Sequence, residues 1–246
     1  MTEEEWRAST DPEKMLLAIR YVVSERKMRL FAIACCQRIW DRITDLRCRA
    51  AVEFAERHVE VGVRGRKGRP AVEKAGREAC READDAGYQA RNQPDCATFL
   101  IDANARNAAL ATVEGSAWFA AHLASGFSAN VVGWEWGRDN HISPPDCERA
   151  GKLAEQRQQL PLLRDVFADP FRPPAPVAAA VLAWNGGTVP KLAAAIYDEG
   201  AFDRLPVLAD ALEEAGCVDA ALVAHCRGSG PHVRGCWAVD LILGKP

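Results

Sequence analysis

Thiolate and imidazole are the donors zinc prefers, and residues 217–236 of this chain bring together Cys217, His225, Cys226, His232 and Cys236. A glycine-rich turn at 227–231 lies among them, because its glycines allow positive φ and Pro231 cannot continue a helix. The segment can therefore fold back on itself. Cys226, His232 and Cys236, with His225 or Cys217 as the fourth donor, could then surround a zinc ion. The order His-Cys-x5-His-x3-Cys lacks the C-x2-C knuckle of zinc ribbons and fingers. Other readings compete for the same residues. Cys226 and Cys236 also suit a core as small apolar side chains, with His232 bonded to backbone. Arg227 and Arg234, together with N–H groups of the glycine loop, could cradle a phosphate or carboxylate. A nucleophilic pair is a further use: Cys226 or Cys236 with His232, and Asp240 orienting the imidazole.

Elsewhere the candidates are weaker. Residues 130–146 hold Trp134, Trp136, two glycines and a Pro-Pro pair, a composition that predicts an ordered loop. Trp134, Trp136 and His141 could line a pocket for a ligand or partner, or the indoles could plug a seam between helices. Cys35 and Cys36 are adjacent in a very apolar turn, which favours core packing over metal binding. Asn104, Asn107 and His122 read as surface or internally satisfied polar residues. Segment 26–49 has seven basic residues against two acids, and 64–69 adds a basic glycine-rich stretch. Both could meet an acidic partner or nucleic acid, or form solvated helix edges and an exposed linker. A net charge of −3 argues against a dedicated nucleic-acid binder.

The elements that must position these residues read as helices throughout. Asp11-Pro12 and Ser24 are helix starts, the first leading into Met15, Leu16 and Ile19 and the second into the apolar run 28–40. Residues 48–59, 71–88, 97–125 and 148–167 continue the pattern, with Gly126 ending the third and Pro161 interrupting the last. A proline-stiffened connector at 169–176 precedes a turn at 184–188, a helix beginning near Thr188, and a helix at 205–215 stopped by Gly216. No segment alternates like a strand. The expectation is an all-α, multi-helix orthogonal or bundle-like array: residues 1–61, an Ala-rich helical insert with the Trp loop at 62–147, and 148–246 with the Cys/His loop, forming separate parts or one continuous domain.

Apolar content of 48% and charged content of 26% predict a folded chain. Nine cysteines without a disulfide rhythm, an acidic start unlike a leader peptide, and no apolar run of about 18 residues point to a cytoplasmic protein outside the membrane. The G-x-S-x-G elbow, P-loop, dinucleotide fingerprint and H-E-x-x-H are all missing.

Segments 28–45 (MRLFAIACCQRIWDRITD), 164–174 (RDVFADPFRPP) and 184–246, which contains HCRGSGPHVRGCW, resemble a family of uncharacterised proteins expanded as many paralogues in planctomycetes. The resemblance implies that Cys35, Cys36, His225, Cys226, His232 and Cys236 belong to shared motifs. It implies that Cys80, Cys96 and Cys147 lie in a variable insert, and it carries no activity. The reading that follows is a helical scaffold or interaction module for a protein partner, with a structural zinc at the C-terminal loop. An enzyme using the Cys/His loop and a nucleic-acid binder using 26–49 and 64–69 are the alternatives.

Overall fold

A computed structural model describes residues 1–61, 67–90, 96–140 and 144–245 of the chain. Among them there are twelve α-helices and no strand, as the sequence pattern requires. The chain forms two compact units that divide between Leu160 and Pro161.

The first unit is built from α1 (Glu3–Ala8), α2 (Pro12–Ile19), α3 (Glu25–Arg38), α4 (Leu46–His58), α5 (Arg69–Ala90), α6 (Cys96–Ala111), α7 (Ala117–Asn140) and most of α8 (Pro144–Phe167). Local signals start several of them. The Asp11 carboxylate accepts from the Glu13 and Lys14 N–H groups, with Pro12 in the first turn. Ser24 accepts from Lys27 N, and Asp45 accepts from Arg47 N. Helix α3 is the axis of the unit. Every side chain from Met28 to Cys36 is buried, and α4, α6 and α7 pack around it. Cys35 and Cys36 are both fully buried, and the Cys36 thiol donates to the Ala108 carbonyl at 3.2 Å. Burial pushes both thiols up, away from the reactive thiolate.

The middle of the chain departs from the sequence reading. The stretch 97–125 is two helices, broken at 112–116, and Gly126 lies inside α7 rather than at a helix end. Residues 130–140 continue α7, so Trp134 and Trp136 are helical and not in a loop. Glycine inside a helix costs about 1 kcal/mol relative to alanine. Close packing explains its presence here. A Cβ on Gly151 of α8 would stand 2.6 Å from the Gly133 Cα, so these two helices meet only because neither carries a side chain there.

Two polar contacts fasten α8 within the first unit. Glu155, buried on α8, takes a bidentate pair from Arg38 at 2.6 and 2.9 Å. Gln159 donates to the Ser125 carbonyl and Ser128 hydroxyl and accepts from the Ser125 hydroxyl at 2.6 Å.

The second unit contains the end of α8, then α9 (Ala179–Glu199), α10 (Leu205–Glu214), α11 (Ala220–Arg227) and α12 (Trp237–Leu243). Helix α9 is two helices joined by the predicted turn, where Asn185, Gly186 and Gly187 adopt positive φ. Gly216 closes α10 at φ +78°, and Asp219 caps α11 by accepting from Ala221 N and Leu222 N. Val181, Val189, Ile196, Leu205, Leu208 and Leu222 make the core, joined from the tail by Cys226, Cys236, Val239 and Ile242. Among the described residues no helix is long and apolar enough to cross a membrane.

Candidate metal centre

The tail loop closes on a carboxylate that its own motif does not contain. Asp165 belongs to the last turn of α8, and it is buried among Leu162, Leu163, Val166 and Phe167. Its Oδ1 receives His232 Nδ1 at 2.7 Å and His225 Nε2 at 3.1 Å, while the Val233 N–H donates to Oδ2 at 3.0 Å. Cys236 Sγ lies 3.2 Å from His225 Nε2. One donor atom from each of Asp165, His225, His232 and Cys236 falls within 4.8 Å of every other.

Besides α8, which carries Asp165, three elements deliver the other groups. Helix α11 presents His225 from its last turn, the 228–236 loop presents His232, and Cys236 sits at the N-cap position of α12. Gly235 at φ +99° provides the backbone reversal that brings Cys236 back beside His225.

Hydrogen bonding assigns the protons. His232 Nδ1 faces a carboxylate oxygen and its Nε2 faces the Gly228 carbonyl at 3.2 Å, so both nitrogens donate and the ring is an imidazolium. Burial alone would lower the His232 pKa. The hydrogen bond and charge of Asp165, aided by Gly228, outweigh it and hold the value above the ordinary histidine range. Burial likewise pulls Asp165 up. Bonds from His225 and His232, the His232 charge and the Val233 N–H reverse that and leave it below the usual carboxylate range. His225 differs. Its Nδ1 accepts from the Trp237 indole N–H at 3.1 Å, so in the neutral ring the proton is on Nε2.

The donor set and spacing suit a tetrahedral ion. Zinc with bonds of about 2.0–2.3 Å separates its ligand atoms by about 3.3–3.6 Å. Reaching that spacing opens the 2.7–3.2 Å contacts by about 0.2–0.6 Å and draws in the donor atoms that stand as far as 4.8 Å apart. His232 is already oriented as a metal-binding histidine would be, with its remote N–H held by a backbone carbonyl. His225 is not, because an indole donor stands where a ligating ring needs an acceptor.

The same geometry is unlike a nucleophilic triad. A triad uses one imidazole nitrogen for the thiol and the other for the carboxylate. Here His225 Nε2 faces both Cys236 and Asp165. Burial and the Asp165 charge also push the Cys236 thiol well up, and burial pushes Cys226 up to about 12.

The other residues singled out by sequence are dispersed. Cys226 is fully buried in the core and is not one of the four clustered donors; Cys217 is half-buried. The carboxylate that receives His232 is Asp165, while Asp240 is buried on α12. Arg227 is engaged by Glu213 at 2.6 and 2.8 Å and by Asp210 at 2.9 Å. Arg234 donates to the Tyr197 carbonyl and lies over the Tyr197 ring, so the two guanidinium groups face different neighbours. Trp134 is half-buried and Trp136 more exposed, and residues two apart on a helix point to different faces. His141 and residues 64–66 lie outside the described residues.

The basic segment 26–49 is largely consumed inside the fold. Arg26 pairs with Glu60, Arg38 with Glu155, Arg42 with Glu135, and Arg47 with Asp45 and Glu82. Arg29 and Arg49 donate to backbone carbonyls.

Asp165 is the site residue that motif reading missed. The available signal was its setting: one acid between apolar neighbours on the buried stripe of a helix needs a partner. No protein-family model, curated protein or solved structure matches this chain.

Proposed function

We propose that the C-terminal unit is a helical interaction module whose tail is clamped by one zinc ion on Asp165, His225, His232 and Cys236. The observation that carries this reading is the convergence of four donor atoms from α8, α11, the tail loop and the start of α12. Four protein donors complete a tetrahedron and leave no position for a reacting water, so the metal's role is structural. Its binding energy would be spent on holding α11, the loop and α12 to the end of α8. The same reading takes the chain to be a scaffold for a protein partner; nine cysteines without a disulfide rhythm support a reducing cytoplasmic location, and the HCRGSGPHVRGCW tail supports kinship with the planctomycete paralogues.

The test is metal content of untagged protein purified without chelator, with Asp165→Ala and His232→Ala alongside. About one zinc per chain is expected, lost in both variants together with thermal stability. Metal-free wild-type protein whose melting temperature does not respond to added zinc would overturn the proposal. The Asp165–His232 ion pair would then hold the tail by itself.

A further inference from the structure

A pair of thiols in the first unit is placed for chemistry that the tail donors do not perform. Cys48 lies in the first turn of α4, where its N–H bonds to the Asp45 carbonyl, and Cys80 lies in α5. The two helices pack directly against each other. The side chains of Cys48 and Cys80 share a hydrogen bond, so the fold holds two sulfurs from different helices in contact.

Their surroundings differ. Cys48 has no exposed surface, whereas Cys80 keeps 5% of its own and lines an open cavity of about 590 Å³ between α5 and α6. Asn107 and Leu110 form the α6 side of that cavity. Lys74, Arg77 and Arg81 line the α5 side against one acid, Glu73, which is itself paired with Arg69 and Arg77. A cation beside a thiol favours the thiolate, and Arg77 is close enough for its charge to act on Cys80. Cys48 is the opposite case, because its hydrogen bond to Cys80 and its burial push the thiol up. The pair thus has one thiol at a cavity wall and a second behind it, sealed from solvent. Cys35 and Cys36 lack this division, since both are sealed.

We propose that Cys48 and Cys80 are a reversible dithiol, converted to a disulfide by exchange with an anionic low-molecular-weight disulfide that enters the α5/α6 cavity. The Cys80 thiolate attacks one sulfur of the small disulfide, whose S–S bond breaks and releases one small thiolate; Cys80 is left as a mixed disulfide. Cys48 then loses its proton and attacks the Cys80 sulfur, which expels the second small thiolate. Two protein thiols are oxidised by two electrons, one small disulfide is reduced to two thiols, and the two protons pass to the released thiolates. The contact between the sulfurs is what makes the second step local, since the new bond only has to close them to about 2.0 Å. In a reducing compartment small thiols reverse both steps, so the link between α4 and α5 follows the redox poise. The proposal is independent of the zinc reading, because neither thiol is a tail donor.

The experiment incubates the reduced full-length chain with oxidised glutathione in the absence of denaturant, quenches with acid, alkylates the remaining thiols and maps every cysteine by peptide mass spectrometry. Wild type is expected to yield the Cys48–Cys80 linked peptide, and excess reduced glutathione is expected to remove it. Cys48→Ala is expected to stop at the glutathione mixed disulfide on Cys80, and Cys80→Ala to leave Cys48 unmodified. Circular dichroism shows whether each variant folds; if either does not, the wild-type mapping decides alone. Cystamine, a cationic small disulfide, is expected to react about tenfold more slowly than oxidised glutathione. The proposal is overturned if folded wild type forms no Cys48–Cys80 link at glutathione ratios that oxidise the same chain in urea. It is overturned equally if folded Cys80→Ala takes up glutathione on Cys48 as fast as Cys48→Ala does on Cys80. Cystamine reacting as fast as glutathione would overturn entry through this cavity.

Discussion

Replacing Trp237 with phenylalanine should move the metal-free stability and the zinc affinity in opposite directions. In the structure the indole N–H donates to His225 Nδ1 at 3.1 Å. That bond requires an unprotonated Nδ1. A neutral imidazole that binds zinc through Nε2 must instead carry its proton on Nδ1, where it would confront the indole N–H. Zinc binding therefore requires the Trp237 bond to break. A hydrogen bond of this kind contributes about 1 kcal/mol net. Trp237→Phe has no such bond to lose on binding, and at 1.4 kcal/mol per tenfold it should bind zinc about fivefold more tightly. The metal-free variant should meanwhile be less stable by about 1–2 kcal/mol, from the lost bond and the trimmed ring. Competition against a chromophoric chelator measures the affinity, and urea unfolding of chelator-treated protein measures the stability. An affinity equal to or below that of wild type would refute the argument, because the indole would then not oppose the ligating form of His225.

Two further tests address the first unit. Glu155→Gln leaves the Arg38 guanidinium without its bidentate acceptor; a broken buried pair costs about 3–5 kcal/mol, reduced here to about 2–3 because Arg38 keeps 30% of its side chain exposed. Urea unfolding that changes by less than about 0.5 kcal/mol would show that the pair is not an anchor of α8. Asp45 is held below the usual carboxylate range chiefly by its Arg47 hydrogen bond, against the opposing effect of burial, with the Arg47 backbone N–H and the Arg106 charge adding to it. A depressed folded-state pKa contributes stability above the unfolded value near 3.9 that disappears as pH falls through the folded value. Asp45→Asn should accordingly flatten the acid limb of stability against pH in that window, and an unchanged acid limb would contradict it.

Local chemistry made much of the fold legible. Asp11-Pro12, Ser24 and Gly216 each act within a few residues of themselves, and each helix they delimit stands where the pattern put it. The all-round apolar run of α3 announced a buried axis. Helix α7 was illegible for the complementary reason. Gly126, Gly133 and Gly137 lower its intrinsic helicity, and the profit from Gly133 appears only when Gly151 of α8 lies against it.

Within the tail, the outcome turns on adjacency. His225 and Cys226 are neighbours on α11, where successive side chains diverge by about 100°. Both cannot reach one ion from the same helical turn. Once His225 is aimed at Asp165, Cys226 must point into the core, and there it sits fully buried with its thiol pushed up to about 12. The exclusion of one neighbour by the other was available from the sequence, but the absence of Cys217 from the cluster was not, and it leaves the tail one donor short. The missing donor lies 60 residues before His225 and 67 before His232, in a helix with no motif of its own. A tail with three good donors and an acid stranded on a buried helical stripe are complementary deficits, and the fold resolves both by placing them together.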